Sequence, residues 1–429
     1  MVNMSNTEAM TPPTDSVAPR RGLTVSLWIA QWILGVALVG AGIFKLSLGA
    51  DQALELFPWS ADVPALFTIT SVLDVLGGLG VILPAITRIL PRLTSVAALG
   101  VLALMLSAVV FYLSRGEASE IAPNLALAAV AGFIAWGRWR AAPITAQLPD
   151  PPRFTGALPQ ADSPADMAIF QIPTGTYMTR GAFAVRGGAF GDKRQFAATS
   201  VLVRHPAGDL LIDAGFGARA AEHIDMLPSF RRSPHTFAGT VNDQLRAVGY
   251  DFGRLRGVVL THSHWDHVSG LDSLAVPVWM TADERRYASA SKDDAVFTSV
   301  TQNHQIREYT FDGPAYLGFD ASHDFFGDGS VVIVPAAGHT SGSVIVFVTI
   351  ASGDRFAFIG DLTWQRDGIT RRVERPLLLS MLADSDAKQI RRDLLRMIAL
   401  EGRLQIVPAH DVASFDGIPL LTADAAVNR

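Results

Sequence analysis

The sequence contains no cysteine in 429 residues, and charged residues make up only 17% of it. The missing cysteine excludes disulfides, iron–sulfur clusters and cysteine-ligated zinc, so any metal must be held by nitrogen and oxygen ligands. The net charge is −5, and no run of like charge occurs. This balance argues against nucleic acid as a partner, because phosphate binding requires a basic surface.

Four apolar segments in the first third of the chain predict an all-α, four-helix transmembrane bundle. The first three are long enough to cross a hydrocarbon core of about 30 Å, and the fourth is marginal but usable. Small residues recur in all four, which lets helix backbones approach closely. Four buried helices of a soluble core are a poor alternative, because only short polar loops separate the segments. The segments are 23–46, 64–83, 93–113 and 121–136.

The arginines around these segments predict the orientation of a multi-pass protein in a bacterial inner membrane. Both termini, and everything after residue 140, are expected in the cytoplasm under the positive-inside rule. A signal peptide is the alternative for the N-terminus, since "PRRGLTVSLW" carries paired arginines. The first apolar run is longer than a signal core, however, and three further spans follow it. The arginines are Arg20, Arg21, Arg88, Arg92, Arg138 and Arg140.

Two charged residues lie in or near the predicted spans. Lys45 ends the first span, where it can reach the interface. Asp74 lies inside the second, where a carboxylate is costly and indicates either a functional role or a neutralised carboxyl, which is protonated or paired with Lys45. The ending "GAGIFKL" of the first span, with an acidic residue before glycines in the second, resembles the DoxX-like membrane family. That resemblance covers residues 23–140 and implies no single activity.

The chain divides by composition into four parts. Residues 1–22 form an N-terminal tail, 23–140 the membrane domain, 141–168 a proline-rich linker and 169–429 a further domain. In the last part apolar strands alternate with helices, which indicates an α/β domain with sheets covered by helices. Thr240 is expected to cap a helix that follows it, and an amphipathic helix is expected over 384–402.

Side chains that bind metals stand where apolar strands end. His262 follows "VVLT", His339 follows "VVIVPAAG", Asp361 follows "FAFIG" and His410 follows "IVPA". Strand ends at one edge of a sheet can converge, and loops there are free to carry chemistry. His264 lies two residues after His262 at the end of a strand, so the two can point the same way. One loop cannot surround two metals, so distant ligands must complete them.

The segment "HSHWDH" has the pattern His-x-His-x-Asp-His and resembles that of metallo-β-lactamase-fold hydrolases. The other motifs of that family are present in order as "LLIDAG", "AAGHTSGS", "FIGDLT" and "VPAHD". The resemblance implies a four-layer αββα sandwich. It also implies a set of roles: His262, His264 and His339 hold one metal, Asp266, His267 and His410 hold a second, Asp361 bridges the two, and Asp213 orients the histidine loop without ligating.

Two divalent ions in such a site, with zinc first and iron or manganese as alternatives, would lower the pKa of a shared water. The resulting hydroxide attacks a carbonyl, and Asp266 can also move the proton to the leaving group. We therefore expect hydrolysis of a small-molecule ester, lactone or thioester next to a lipid bilayer. The ligand set resembles that of N-acyl-homoserine lactonases and glyoxalase II. Trp364 departs from the tyrosine that some lactonases carry at this place, so no phenol reaches the substrate.

Two other functions remain open at this point. A mononuclear-iron persulfide dioxygenase has the same fold, and relatives of the DoxX-like family occur in sulfur metabolism. His267 and His410 favour two metals over one. The other alternative is a membrane-anchored binding or regulatory module with a structural metal. A histidine and aspartate set with a bridging carboxylate suits an open catalytic site better than a closed structural one.

The remaining polar and aromatic residues receive lesser roles. Thr340, Ser341 and Ser343 are expected to cap backbone rather than attack substrate, because no serine has a nucleophile-elbow context. Met178, Phe183, Phe190 and residues 287–300 are expected to form a pocket wall, although aromatic residues there are more often core. The histidines without a partner motif are expected to be surface or packing residues: His205, His223, His235, His304 and His323.

Overall fold

The computed structural model describes residues 10–11, 21–88, 90–144, 147–229, 232–290 and 295–423. The chain divides into two compact units, one of Asp15–Ala146 and one of Met1–Thr14 with Gln147–Arg429. Most of the predicted N-terminal tail, including Arg20, lies outside the described residues, as do 291–294 of the predicted pocket wall.

The first unit is helical. Its helices are α1 (Arg21–Ser47), α2 (Ala50–Leu56), α3 (Pro64–Thr87), α4 (Arg92–Ser114) and α5 (Ile121–Trp136). Four helical segments are long and apolar enough to cross a membrane, which confirms the prediction of four apolar helices. The fourth is longer than its apolar core indicates, because a 3-10 turn before α5 and a π turn after it extend the helical segment to 24 residues, Ala118–Ala141.

Small residues bring α1 and α3 together. A Cβ atom added at Gly42 would lie 2.6 Å from the carbonyl oxygen of Ser71, and one at Gly78 would lie 2.7 Å from that of Gly35. Both distances are shorter than real contacts, so only glycine permits this approach. The recurring small residues of the sequence therefore serve helix packing, as predicted.

The charged pair of the first unit is formed. Lys45 Nζ lies 2.9 Å from Asp74 Oδ2, and the Asp74 side chain is buried between helices. This is the paired arrangement that the sequence left as one alternative. A second polar link joins the π turn after α5 to α1, since Arg138 Nε donates to Gln31 Oε1 at 2.7 Å. Such pairs lower the cost of placing polar groups among apolar helices.

The second unit contains two main sheets and a short pair of strands. Its strands are β1 (Met10–Thr11), β2 (Arg153–Phe154), β3 (Ala168–Arg180), β4 (Lys193–Arg204), β5 (Asp209–Ile212), β6 (His235–Phe237), β7 (Leu255–Val259), β8 (Val278–Thr281), β9 (Ile306–Tyr309), β10 (His323–Asp324), β11 (Val331–Pro335), β12 (Val344–Thr349), β13 (Arg355–Phe358) and β14 (Gln405–Val407). The larger sheet has the order β6-β3-β4-β5-β7-β8-β9, and the smaller has the order β10-β11-β12-β13-β14.

The helices of this unit lie between the strands in sequence. They are α6 (Gly181–Ala184), α7 (Ala220–Asp225), α8 (Val241–Ala247), α9 (Trp265–Val268), α10 (Ala282–Ala290), α11 (Ala295–Thr301), α12 (Asp367–Thr370), α13 (Leu377–Ala383) and α14 (Ala387–Ala399). The Thr240 hydroxyl accepts the Asp243 N–H at 3.0 Å, which confirms the cap of α8. The helix predicted over 384–402 begins later, because Asp386 caps it by accepting the N–H groups of Lys388 and Gln389.

Three apolar layers hold the sheets and helices together. Leu210 and Ile212 of β5 point into the layer between the two sheets, where they pack with side chains of β11 to β14. Leu211, between them in sequence, points to the other face and packs with α8 and α11. The outer face of the smaller sheet is covered by α14. Since side chains alternate along a strand, these layers make the αββα sandwich, which confirms the predicted fold class.

Residues 147–168 of the predicted linker belong to this second unit. The Leu148 N–H donates to the carbonyl of Arg372 at 2.6 Å, and Gln147 forms a β-bridge with Val373. The proline-rich segment therefore runs along the α/β sandwich and pairs with it. The stretch of chain that joins the two units is correspondingly short.

Candidate metal centre

The predicted ligands follow strands whose carboxyl ends lie at one edge of the sandwich. In the smaller sheet β11, β13 and β14 run in the same direction, so His339, Asp361 and His410 emerge at the same edge. In the larger sheet β7 leads into His262 and His264, and α9 begins directly afterwards. The apolar strands fix the positions of the loops, and the loops carry the polar side chains.

The first group of side chains consists of three histidines and one aspartate. His264 Nδ1 lies 3.1 Å from His262 Nε2 and 2.9 Å from His339 Nε2. Asp361 Oδ2 lies 3.2 Å from His339 Nε2 and 3.8 Å from His262 Nε2. One ligand atom from each of the four residues lies within 4.8 Å of the others, which is a spacing that could hold one metal ion.

The second group faces the other oxygen of the same aspartate. Asp361 Oδ1 lies 3.0 Å from His410 Nε2 and 3.4 Å from His267 Nε2. Asp266 Oδ2 lies 3.5 Å from His410 Nε2. The atoms of Asp266, His267 and His410 also lie within 4.8 Å of one another. All seven side chains that the sequence indicated as ligands thus converge in two groups, and Asp361 lies between them.

Several buried polar atoms of the centre make no hydrogen bond within the described part of the chain. His267 Nε2, His410 Nε2 and Asp361 Oδ1 are buried and find no hydrogen-bond partner among the described residues. A buried polar atom without a partner is costly, so such atoms require an explanation. These three atoms converge on one point, and an imidazole nitrogen and a carboxylate oxygen are ligands that divalent metals take. The donor set therefore fits a metal ion.

The second ring nitrogen of each histidine is held by the protein. This arrangement fixes the orientation of a ligand ring and is typical of metal sites. The contacts are His262 to the Thr261 hydroxyl at 3.2 Å, His264 to the Tyr287 hydroxyl at 3.3 Å, His267 to Asp213 at 2.8 Å, His339 to Asp384 at 2.9 Å and His410 to the carbonyl of Ala197 at 2.8 Å.

Asp213 lies outside both groups and supports the histidine loop. Its Oδ1 accepts the Thr261 N–H at 2.7 Å, and its Oδ2 accepts the Thr261 hydroxyl at 2.8 Å. The same Oδ2 contacts His267 Nδ1. Its φ of 55° places it in the left-handed region, which turns the chain sharply after β5. The buried carboxylate therefore joins β5 to the segment that carries four of the predicted ligands.

Arg375 and Asp384 were missed by the sequence analysis. Arg375 Nη1 donates to Asp384 Oδ1 at 2.6 Å, and the Ser380 hydroxyl donates to Asp384 Oδ2 at 2.6 Å. Arg375 Nη2 also donates to the backbone carbonyl of Asp361. The pair therefore holds both His339 and the backbone of Asp361. Neither residue follows a strand, so the pattern that found the ligands could not find them.

Glu284 on α10 was also missed, and it links two of the ligand loops. Its carboxylate accepts the Ser263 N–H at 2.6 Å, the Gly342 N–H at 3.1 Å and the Thr340 hydroxyl. Ser263 lies between two predicted ligands, and Thr340 directly follows His339. Burial raises the pKa of Glu284, while these donors lower it. Thr340 also donates its N–H to the Ser343 hydroxyl at 2.9 Å, so this turn is capped as expected.

The charge states of the centre follow from burial and neighbouring groups. Burial lowers the pKa of His262 well below its usual range. Burial also opposes a proton on His267 and His410, but Asp213 raises the pKa of His267 well above its usual range, and Asp361 raises that of His410. Burial alone would raise the pKa of Asp361, yet the adjacent histidines hold it well below its usual range. Asp361 therefore stays ionised.

Aromatic side chains contact the acidic residues. Trp364 Nε1 donates to Asp361 Oδ2 at 2.8 Å, and the Tyr177 hydroxyl donates to Asp266 Oδ2 at 2.8 Å. The guanidinium of Arg375 lies 4.5 Å from the centre of the Trp364 ring. The departure from tyrosine at position 364 thus places an indole N–H on the aspartate between the two groups.

We expect Trp364→Phe to lower kcat/KM about tenfold, because the loss of one hydrogen bond of about 1.4 kcal/mol corresponds to that factor. The phenylalanine ring keeps the stacking with Arg375, so the loss isolates the N–H donor. Trp279→Phe is the matched control, since Trp279 Nε1 donates only to the carbonyl of Arg256, at 3.4 Å. Equal activity of both variants would show that the indole N–H has no role.

The remaining predicted site residues lie elsewhere. Of the expected pocket wall, Tyr287 contacts His264, whereas Phe297 is buried in the core beneath α11. Phe297 is therefore a core residue, which was the more frequent outcome expected for aromatic residues there, because the apolar face of α11 packs against the larger sheet. The five histidines without a motif lie outside both groups. His304, for example, contacts the carbonyls of Val276 and Leu271.

Comparison with known proteins identifies this class of site. Residues 194–410 match the model of the metallo-beta-lactamase superfamily, and residues 29–134 match the DoxX-like family. Proteins of Mycobacterium bovis and Mycobacterium tuberculosis, both named "probable metallo-hydrolase", are 30% identical over 230 residues, which is 49% of this chain and 73% of theirs. The protein is therefore a metal-dependent hydrolase. It belongs to the metallo-beta-lactamase superfamily and carries a DoxX-like domain in its first unit.

Other similarities are more distant. A gamma-lactamase of Fusarium pseudograminearum is 24% identical over 248 residues, which is 47% of this chain and 54% of that protein. Among solved structures, an N-acyl homoserine lactone hydrolase with bound N-hexanoyl-L-homoserine gives a TM-score of 0.47 at 17% identity, covering 59% of this chain and 96% of that one.

Proposed function

We propose that the second unit holds two divalent metal ions and hydrolyses an ester, lactone or thioester, as an enzyme anchored to the membrane by its first unit. His262, His264, His339 and Asp361 would hold one ion, and Asp266, His267, His410 and Asp361 the other. The observation that carries the proposal is the position of Asp361, whose Oδ2 faces the first group and whose Oδ1 faces the second.

When bound, the ions supply Lewis acidity, which lowers the pKa of a water molecule and polarises a carbonyl group. Zinc suits the nitrogen and oxygen donors, and iron or manganese are alternatives. The other contributions come from the protein. Asp361 is held ionised between the groups, and Trp364 and Arg375 fix its orientation. Asp266 accepts a hydrogen bond from Tyr177, which holds its carboxylate near the substrate where it can take up or return a proton.

The orientation of the protein is a further part of the proposal. The arginines that flank the spans support a cytoplasmic position for both termini and for the hydrolase unit. A small-molecule substrate would then be met in the cytoplasm or at the inner face of the bilayer. The names of the mycobacterial relatives support hydrolysis but not a particular substrate.

The test is metal analysis and a hydrolysis panel on the purified full-length chain. We expect activity on at least one lactone, ester or thioester, and we expect His264→Ala to abolish it. His323→Ala is the control, because His323 stacks on Tyr309 outside both groups. Full activity in His264→Ala would contradict the proposal. One iron per chain with oxygen consumption on a persulfide would favour a dioxygenase instead.

Metal binding is expected to release protons. Because the pKa values of His267 and His410 are raised, their rings keep protons to a higher pH than a free imidazole does, and a metal must displace those protons. The affinity for zinc should therefore fall as the pH falls. It should increase with rising pH until the pH exceeds the raised pKa values of both histidines. Calorimetric titration with zinc in two buffers of different ionisation enthalpy measures this release. Heats that do not depend on the buffer would contradict it.

A further inference from the structure

Helix α13 exposes an apolar face. Leu378, Met381 and Leu382 are 69%, 72% and 75% exposed, and Ser380 is the buried residue of the helix. Positions i, i+3 and i+4 share one face of a helix, so the three side chains form one patch. Soluble proteins rarely leave such a patch uncovered, and one at this place indicates a binding surface.

This exposure exceeds that of the apolar helices in the first unit. Among the described residues of the four membrane-length segments, the most exposed large apolar side chain is Val110, at 66%. All three side chains of the α13 patch are more exposed than that. Phe190, at 68%, is the next in the described chain. The most exposed large apolar side chains among the described residues therefore lie on the hydrolase unit.

The patch borders the metal centre. Arg375 precedes α13 and Asp384 follows it, and these two residues hold His339 and the backbone of Asp361. The helix is thus fixed at both ends to side chains that support the ligands. The apolar patch therefore lies on a helix whose flanking residues support the metal ligands.

A second apolar segment lies next to α13. The Arg186 N–H donates to the carbonyl of Glu374 at 2.8 Å, and the two side chains form an ion pair at 2.9 Å. These two contacts join the segment after β3, which contains Arg186, to Glu374, which lies three positions before α13. Phe183 and Phe190 of that segment are exposed, and their ring centres lie 5.6 Å apart. Together with the α13 patch they form what we call the apolar rim.

The connection between the units limits what can cover the rim. The last membrane-length segment ends at Ala141, and Gln147 already pairs with Val373. Six residues reach at most about 20 Å when fully extended. Val373 lies four residues before α13, so the chain enters the hydrolase unit beside the rim. A tether of six residues therefore joins this part of the hydrolase unit to the last of the apolar segments that we propose to span the membrane.

We propose that the apolar rim, formed by Leu378, Met381, Leu382, Phe183 and Phe190, docks on the surface of the lipid bilayer. Side chains of this kind sink about 5–10 Å into the boundary between headgroups and acyl chains. Docking would place α13, whose flanking residues Arg375 and Asp384 support the metal ligands, at the interface. If the proposed hydrolysis holds, the substrates are then amphiphilic esters, lactones or thioesters that partition into the membrane.

The test uses the absence of cysteine. Met381→Cys gives the full-length chain a single thiol. This thiol is labelled with an environment-sensitive nitrobenzoxadiazole dye, and the labelled protein is placed in phosphatidylcholine nanodiscs. Ser352→Cys is the control, because the exposed turn between β12 and β13 lies at the opposite edge of the sheet from Asp361. With doxyl-labelled phosphatidylcholine, the dye at 381 should lose about half its emission, as expected for insertion to that depth, and the dye at 352 should lose almost none.

Equal quenching at both positions, or none at 381, would overturn the proposal. If the emission of the dye at 381 responds to added unlabelled protein instead of doxyl lipid, the rim is assigned to a second copy of the chain.

A variant that combines Leu378→Ser, Met381→Ser and Leu382→Ser should hydrolyse a long-chain ester in vesicles about tenfold more slowly than the wild type. It should hydrolyse a short soluble ester at the wild-type rate. Equal loss on both would contradict delivery from the membrane. Wild-type protein without hydrolysis would contradict the proposed function and leave the quenching result unaffected.

Discussion

Asp361→Asn is expected to lower kcat/KM at least about a thousandfold, which corresponds to about 4 kcal/mol of transition-state stabilisation. The substitution keeps the shape of the side chain but replaces a carboxylate oxygen by an amide NH2. That group carries no charge and cannot serve as a ligand. Since Oδ1 faces His267 and His410 while Oδ2 faces His262 and His339, either orientation of the amide removes one of the two contacts.

Hydrolysis rates and metal content measured on the same preparation check this expectation. Asp354→Asn is the control, because Asp354 is exposed at the other end of β13 and should tolerate the change without loss. The variant at 361 should also retain fewer metal ions per chain than the wild type. If Asp361→Asn kept both its ions and its rate, Asp361 would not bridge the two groups.

Asp213→Asn is expected to lower zinc affinity about 10- to 100-fold, because side chains that orient ligands contribute to metal binding on this scale. It should also lower the free energy of unfolding by about 2–4 kcal/mol, since a buried carboxylate that accepts several hydrogen bonds is replaced by a group that donates. The donors are the N–H and hydroxyl of Thr261 and the His267 ring. Asparagine tolerates the positive φ at this position, so the effect is one of charge and not of backbone strain.

The matched control lies at the other end of the same strand. Asp209 is buried at the start of β5 and accepts hydrogen bonds from the Tyr250 hydroxyl, Arg254 and the His205 N–H. Asp209→Asn should therefore lower stability to a similar degree while leaving zinc affinity unchanged. Denaturant unfolding and zinc titration of both variants separate the two effects. Equal loss of affinity in both would mean that Asp213 acts only through general stability.

The full ligand set could be predicted because its motifs resemble those of metallo-β-lactamase-fold hydrolases. The apolar runs before His339, Asp361 and His410 are local features of the sequence, whereas the strand pairing that brings these residues to one edge is seen only in the structure. The helices of the first unit were predictable for a similar reason, since length and apolar composition suffice to indicate a span. The Lys45–Asp74 pair was foreseen only as one of several alternatives, because register between helices depends on packing.

The supporting residues could not be predicted, because they act from helices distant in sequence. Glu284 lies on α10 with no motif around it, and its partners at 263 and 340–342 become neighbours only when the two sheets stack. Asp384 was placed inside an amphipathic helix, whereas Asp386 caps that helix and leaves Asp384 free to contact His339. The one available signal was the Asp-Ser-Asp sequence, in which either aspartate could have been the cap.

The number of metal ions bound by the active full-length chain tests the central claim most directly. Elemental analysis of the purified protein, together with removal of metal by a chelator and re-addition of zinc, gives that number and links it to hydrolysis. The account predicts two ions per chain, loss of hydrolysis on their removal and recovery with the second equivalent of zinc. Full hydrolysis by a chain with a single ion, or by one with none, would contradict it.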